Sequence, residues 1–256
     1  MGKKYKLTDE TIECGGHTLH RIEAVCDFGD VKAGDKGGYI ESERNLSHNG
    51  DCWVYDDARV FGAAKVSGDA RVSDMADVCG EAKVFGYALV FGSVRVSGSA
   101  CVSGKASVGG DARVGGSAWV CDEACVFGSA CVCDDASVSG EAEVYDHAQV
   151  FVEARVRDNA RVYGNAMVCG DAMVCGAAQI AGNAKVTNMT DYIVFKNWWS
   201  SGRYFTWTRS NNMWSVGCFH GTGDELIKKA YKDSELSGQE YERLVKYVNK
   251  ILNNGN

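Results

Sequence analysis

An aliphatic side chain recurs at every sixth position from Val54 to Val186 without one slip of register, and all twenty-three of these positions are valine except Ile180. Four residues after each stands alanine, from Ala58 to Ala184, with Val94 the single exception among twenty-two. The residue two beyond each valine is Gly, Asp or Asn, Val152 apart. Within Ala70-Arg71-Val72, alternation turns Ala and Val to one face and Arg to the other, so the triplet reads as a very short strand. A segment such as Ser67-Gly68-Asp69 then turns the corner, because Gly, Asn and Asp tolerate the backbone angles of a tight bend. Each hexad is thus one side of a coil, and three hexads close a triangular turn. The run predicts between seven and eight coils, a rod of roughly 35 Å at the spacing of parallel strands. Three valines per coil cannot offset the entropy of ordering a whole coil, so stability has to come from the contact between neighbours.

The 31 glycines and the absence of proline suit such a repeat and argue against a Pro-rich or collagen-like chain. A formal charge of −7 disfavours indiscriminate binding to duplex DNA, which depends on many cationic contacts to phosphate. Met1-Gly2-Lys3-Lys4-Tyr5-Lys6 runs on into polar residues, so neither a signal peptide nor a membrane span is expected and the cytoplasm is the expected compartment. The twelve cysteines are accordingly expected to be thiols, most of them in the variable slots of the repeat. There is no C-x-x-C pair. Cys131 and Cys133 flank Val132 on one short strand, a spacing that suits a shared tetrahedral zinc poorly. No metal and no cofactor are expected.

Three regions follow. Residues 1–53 form an N-terminal capping region, in which residues 11–25 read as a hairpin around Gly15-Gly16 that covers the first coil. Residues 54–188 are the hexad rod. Residues 189–256 lose the period and gain aromatics, with four of the six tryptophans between 198 and 214. Strands are expected at 191–197, 203–209 and 213–219, and then two helices. Thr222 with Glu225 and Ser237 with Glu240 each have capping-box spacing. The fold class is mainly β: a hexapeptide-repeat β-helix with an N-terminal β cap and a small C-terminal α+β domain.

An aliphatic residue at one slot and a small residue four later resembles the hexapeptide-repeat left-handed β-helix proteins, although this chain puts glycine at the third slot instead of the second. The resemblance implies a left-handed coil and a trimer. The non-repetitive stretch from Asp27 to Ala58, DFGDVKAGDKGGYIESERNLSHNGDCWVYDDA, is similar to the region that YdcK-like β-helix proteins place directly before their hexads. The C-terminal region resembles domains appended to solenoid proteins of phages and prophages. A shared fold does not establish a reaction.

Three groups of residues are candidate sites. Hexapeptide acyltransferases use a histidine base at a subunit junction and a loop projecting from the rod. Here the register is unbroken and the rod's one histidine, His147, falls at a turn, so it is the alternative catalytic residue in a chain expected to be non-enzymatic. Every eighteenth residue from Tyr55 onward gives Ser73, Phe91, Gly109, Phe127, Tyr145 and Tyr163 on one outward edge. Phe91, Phe127, Tyr145 and Tyr163 are the expected interface of a homo-oligomer. Arg203, Phe205, Trp207 and Arg209 alternate onto one strand face with Trp198 and Trp199 nearby. Basic groups interleaved with rings can hold a nucleotide or nucleic acid, as would suit an antagonist of host defence, but the preferred reading is that the rings pack the sheet on the two helices, and both can hold, one per face. Residues 190–256 carry a net charge of +2 against −9 for the remainder. The leading expectation is a trimeric scaffold that engages a protein partner through its C-terminal domain.

Overall fold

In the computed structural model, which describes residues 2–254, the hexads stack into a three-sided parallel β-solenoid of about eight turns. The chain enters through β1 (Tyr5–Cys14) and β2 (His17–Ala24), an antiparallel hairpin turned by Gly15 and Gly16 at φ +59° and +87°. Strand β3 (Lys36–Ile40) follows, then twenty-three two-residue strands, β4 to β26, one every six residues from Trp53–Val54 to Lys185–Val186. Each residue sits on its counterpart eighteen away, as Val72 sits between Val54 and Val90. The amide of one coil donates to the carbonyl of the next, Tyr55 N to Val72 O at 2.8 Å and Arg59 N to Ala76 O at 2.8 Å. Every Val and Ala of the two inward columns is buried, which is what the unbroken alternation of small apolar side chains requires.

Parallel stacking begins upstream of Val54. Ile40 pairs with Val60 and Leu46 with Val66, both buried, so an irregular coil precedes the first regular one. The hairpin continues one face of the rod, in the order β1-β2-β3-β5 and on through the sheet to β26. It therefore covers the first coil by extending a sheet, and leaves that sheet's first edge to β1.

At the bend, the slot two residues past each inward valine is left-handed from Asp56 to Gly182, for example Gly62 at φ +68°, Asp74 at +60° and Val152 at +63°, and it turns extended only at Asn188, where the rod ends. The aspartates there do more than tolerate the angle. Each accepts a hydrogen bond from the backbone N–H of the same slot one coil further on: Asp74 from Gly92 at 2.8 Å, Asp122 from Gly140 at 3.0 Å, Asp134 from Val152 at 3.1 Å, Asp146 from Gly164 at 3.0 Å and Asp158 from Gly176 at 2.8 Å.

Past a 3-10 turn at Met189–Asp191, four antiparallel strands follow, β27 (Tyr192–Lys196), β28 (Tyr204–Thr208), β29 (Met213–Val216) and β30 (Phe219–Gly221), in that order across the sheet. Helices α1 (Gly223–Asp233) and α2 (Glu235–Asn254) follow. The capping box of Thr222 and Glu225 opens α1 as expected. That of Ser237 and Glu240 does not form, because α2 starts at Glu235 and Ser234 Oγ instead accepts from Ser237 N at 3.1 Å. The short strand β30 lies partly beyond the third expected strand and pairs with β29.

One face of this sheet packs on the helices, with Phe205, Trp207 and Trp214 buried against Leu226, Ala230, Tyr241, Val245 and Val248. Its other face lies on the end of the rod, where Tyr192 and Val194 meet the valine column. The last coil has no successor to pair with, and side chains take over. Thr206 Oγ1 accepts from Gln179 N at 2.8 Å, Ser210 Oγ from Lys185 N at 2.6 Å, and the Asp191 carboxylate from Thr187 N at 2.8 Å and Asn188 N at 2.9 Å. The Tyr192 hydroxyl donates to Met173 O at 2.9 Å. No helix among the described residues is long and apolar enough to cross a membrane.

Candidate functional site

The residue after each valine of β4, β7, β10 and their successors stands at one outward corner of the rod, and there the rings stack. Phe91 and Phe127 lie two coils apart, yet their centroids are 6.0 Å from each other because Gly109 stands between them. A Cβ at Gly109 would come within 2.6 Å of Phe91 and 2.9 Å of Phe127. Tyr145 and Tyr163 stack at 5.1 Å with their planes 2° apart. All four rings are half-buried, and Tyr163, the last of them, reaches the C-terminal sheet, where its hydroxyl meets Ser215.

Two shallow cavities open along this corner. One of about 280 Å³ sits over Ser73, between Tyr55 and Phe91 and beside the exposed Leu89. Its charged lining is Asp56 and Arg71, and the cap anchors the wall from behind: Arg71 pairs with both Asp30 oxygens at 3.1 Å, and the Tyr55 hydroxyl donates to Asp30 at 2.9 Å. The Tyr55 hydrogen bond, opposed by partial burial, holds the Asp30 carboxyl below its usual range. Burial and that same carboxylate push Tyr55 up to about 12. The other cavity, of about 440 Å³, lies between Phe127 and Tyr145 and is edged by Cys125 and Glu143. Burial and the adjacent Tyr163 push Tyr145 up to about 12, so the ladder stays uncharged at neutral pH.

His147 stands exposed at a different corner, in column with Ser129 and Asn165, at the edge of a shallow cavity of about 470 Å³. A second concavity on its other side holds Asp111, Arg113, Cys131 and Gln149. A general base is ordinarily oriented by a second group. No hydrogen bond to the His147 ring occurs among the described residues, and no loop projects from the rod beside it.

The C-terminal candidates part company. Trp198 is 69 % exposed on the turn between β27 and β28, with Arg203 and Tyr204 also exposed and the Lys196 ammonium 5.7 Å from the Tyr204 ring centre. Trp199 turns inward and meets Tyr241 edge to face at 5.0 Å. Trp207 is fully buried beneath the helices, its indole N–H donating to Asn212 Oδ1 at 2.8 Å, and it offers no face to a ligand. Of the two readings of β28, the packing one holds for its rings: Phe205 and Trp207 are buried against α1 and α2, so the ligand role expected of Trp207 is corrected. Arg209 lies at the far end of the strand from Arg203, roughly 20 Å away along an extended chain, next to Asp191. The turn thus gathers Trp198, Arg203 and Tyr204, and leaves Trp207 and Arg209 apart. Tyr204 and Lys196 escaped the sequence reading, because a strand's pattern does not tell which face a later helix will cover.

The model described as the YdcK β-solenoid repeat matches residues 160–176. A protein of Escherichia coli (strain K12) named "Uncharacterized acetyltransferase YdcK" is 45% identical over 42 residues, 16% of this chain and 13% of that protein. The shared stretch is thus a small part of either chain.

Proposed function

From a chain built on the YdcK β-solenoid repeat, we propose a non-enzymatic, homotrimeric scaffold whose rods meet along the corner of Phe91, Phe127, Tyr145 and Tyr163. The observation that carries this reading is the half-buried aromatic ladder on a rod with no interrupted coil. Contiguous apolar surface is costly to leave in water, and rings that already rest on neighbours lose little side-chain entropy when a partner covers them. The exposed turn of Trp198, Arg203 and Tyr204 then takes a protein partner. Native mass spectrometry and sedimentation equilibrium at tens of micromolar test the assembly. The wild type is expected as a trimer, and Phe91→Ser with Phe127→Ser as a monomer with an unchanged far-UV spectrum. A wild-type monomer under those conditions ends the proposal.

The name of the Escherichia coli relative favours a second reading, acetyl transfer with His147 as base. It predicts acetyl-coenzyme A consumption in the presence of an amine or hydroxyl acceptor, lost in His147→Ala. Equal turnover by that variant rejects the role.

A further inference from the structure

Lys4, one residue ahead of β1, is only 4 % exposed. Its ammonium donates to Cys52 O at 2.7 Å and Gly50 O at 3.0 Å, lies 4.8 Å from the centre of the Phe28 ring, and stands 3.4 Å from Cys52 Sγ. Cys52 is fully buried, and no carboxylate pairs with Lys4 among the described residues. A buried cation resting on carbonyls and a ring is an expensive way to fill space, since an apolar side chain of the same length would need no desolvation. The lysine does bring one thing an apolar residue lacks, a nitrogen nucleophile held against a sulfur.

We propose that Lys4 and Cys52 are an oxidation-triggered crosslink site, in which hydrogen peroxide joins Nζ to Sγ as a sulfenamide and staples the N-terminal hairpin to the start of the rod. The thiol sulfur attacks peroxide, the O–O bond breaks, and the sulfur is oxidised by two electrons to the sulfenic acid while one water leaves. The Lys4 amine, having given its extra proton to solvent, then displaces the hydroxyl from sulfur. The N–S bond forms, the S–O bond breaks, and a second water leaves. The site as a whole loses two hydrogens to peroxide. This is the intramolecular counterpart of the condensation that sulfenic acids undergo with a backbone nitrogen.

The surroundings favour this outcome over further oxidation. Residues Asn49, Gly50 and Asp51 are exposed, so the sulfur lies under a thin layer that peroxide can cross when the segment opens, while the closed site holds the amine as the nearest nucleophile. Burial pushes the Cys52 thiol up by more than the Lys4 ammonium pulls it back, so the sulfur meets peroxide when the segment opens and the amine when it closes. Exposed Cys26 and Cys218 have no such neighbour among the polar contacts of the described residues. The link would bridge 48 positions of chain, a span over which a crosslink removes substantial freedom from the unfolded state.

The full chain is treated with hydrogen peroxide, digested with trypsin without reductant, and analysed by mass spectrometry. The expected product joins the peptide 45–59 to the peptide carrying Lys4, at the sum of their masses less two hydrogens, with cleavage after Lys4 lost. Dithiothreitol is expected to separate them, and the melting temperature to rise on oxidation and fall back on reduction. In Lys4→Arg, which keeps the charge, Cys52 is expected to stop at a sulfenic acid that dimedone traps. Cys52 found as sulfinic acid with Lys4 still cleavable overturns the proposal, and so does Cys52 still a thiol once Cys26 and Cys218 are oxidised.

Discussion

Val152 holds a left-handed backbone at φ +63°, a conformation that costs a β-branched residue about 1–2 kcal/mol. Its neighbours in the same slot are Asp134 below and Gly170 above, and only the aspartate reaches across to the next coil. Val152→Asp relieves part of the strain and supplies an acceptor for Gly170 N, so it is expected to stabilise the chain by about 1–2 kcal/mol in urea denaturation. Asp146→Ala does the reverse, since alanine must keep the left-handed angle and Gly164 N loses its acceptor. A loss of about 1–2 kcal/mol is expected there. An unchanged midpoint in both variants would mean that the slot chemistry contributes nothing. The tolerance of Asp for this slot was legible in the sequence, but the ladder of carboxylates was not. Its donors are backbone amides eighteen residues away, most of them on glycines, and they leave no mark in the pattern of side chains.

The rod is an element that the sequence specifies almost completely, because each inward position has one neighbour above and one below and both are the same residue type. The C-terminal sheet is different. Alternation placed Phe205 and Trp207 on one face correctly, yet only the helices, far along the chain, decide that this face is the interior. Two element-level variants separate packing from assembly. Gly109→Ala puts a methyl between Phe91 and Phe127, whose ring edges can swing aside, so the melting temperature is expected to hold within a degree or two while the proposed trimer is expected to dissociate at lower dilution. A large drop in melting temperature would show that the two rings are structural rather than interfacial. At the other end, Thr206→Val and Ser210→Ala remove the acceptors for Gln179 N and Lys185 N. An unmet amide costs about 1–3 kcal/mol when buried and less where water can reach it. Hydrogen exchange at these two amides is expected to accelerate first, with the middle coils unaffected. Protection equal to wild type would mean that the sheet does not cap the rod in this way.

Across the whole molecule, the carboxylates that gain most from folding sit at the two ends. Glu10 is held down to about 2 by hydrogen bonds from Lys36 and Arg21, and Asp27 is lowered by the Ala33 amide and Lys32. Lys3 lowers Glu43. At the far end, Thr222 lowers Glu225, and at Asp191 the raising effect of burial is outweighed by the amides of Thr187 and Asn188. For such groups the folded value lies below the unfolded one, so their contribution is complete above the ordinary carboxylate range near 4.5 and is lost as the pH falls toward about 2. The valine and alanine interior has nothing to titrate. Brief pepsin digestion near pH 3 is therefore expected to trim both ends and spare the central coils, and uniform cleavage along the chain would contradict this.

An exact eighteen-residue lap makes the rod an index as well as a spacer. Deleting one hexad would swing the C-terminal module a third of a revolution around the long axis relative to the N-terminal hairpin, and deleting two would swing it two-thirds. Deleting three restores the original bearing and shortens the shaft by about 4.8 Å. Reach and bearing can thus be altered separately by counting sixes, and the tally in this chain determines which side of the shaft Trp198 overlooks relative to the ring column of Phe91 and Phe127.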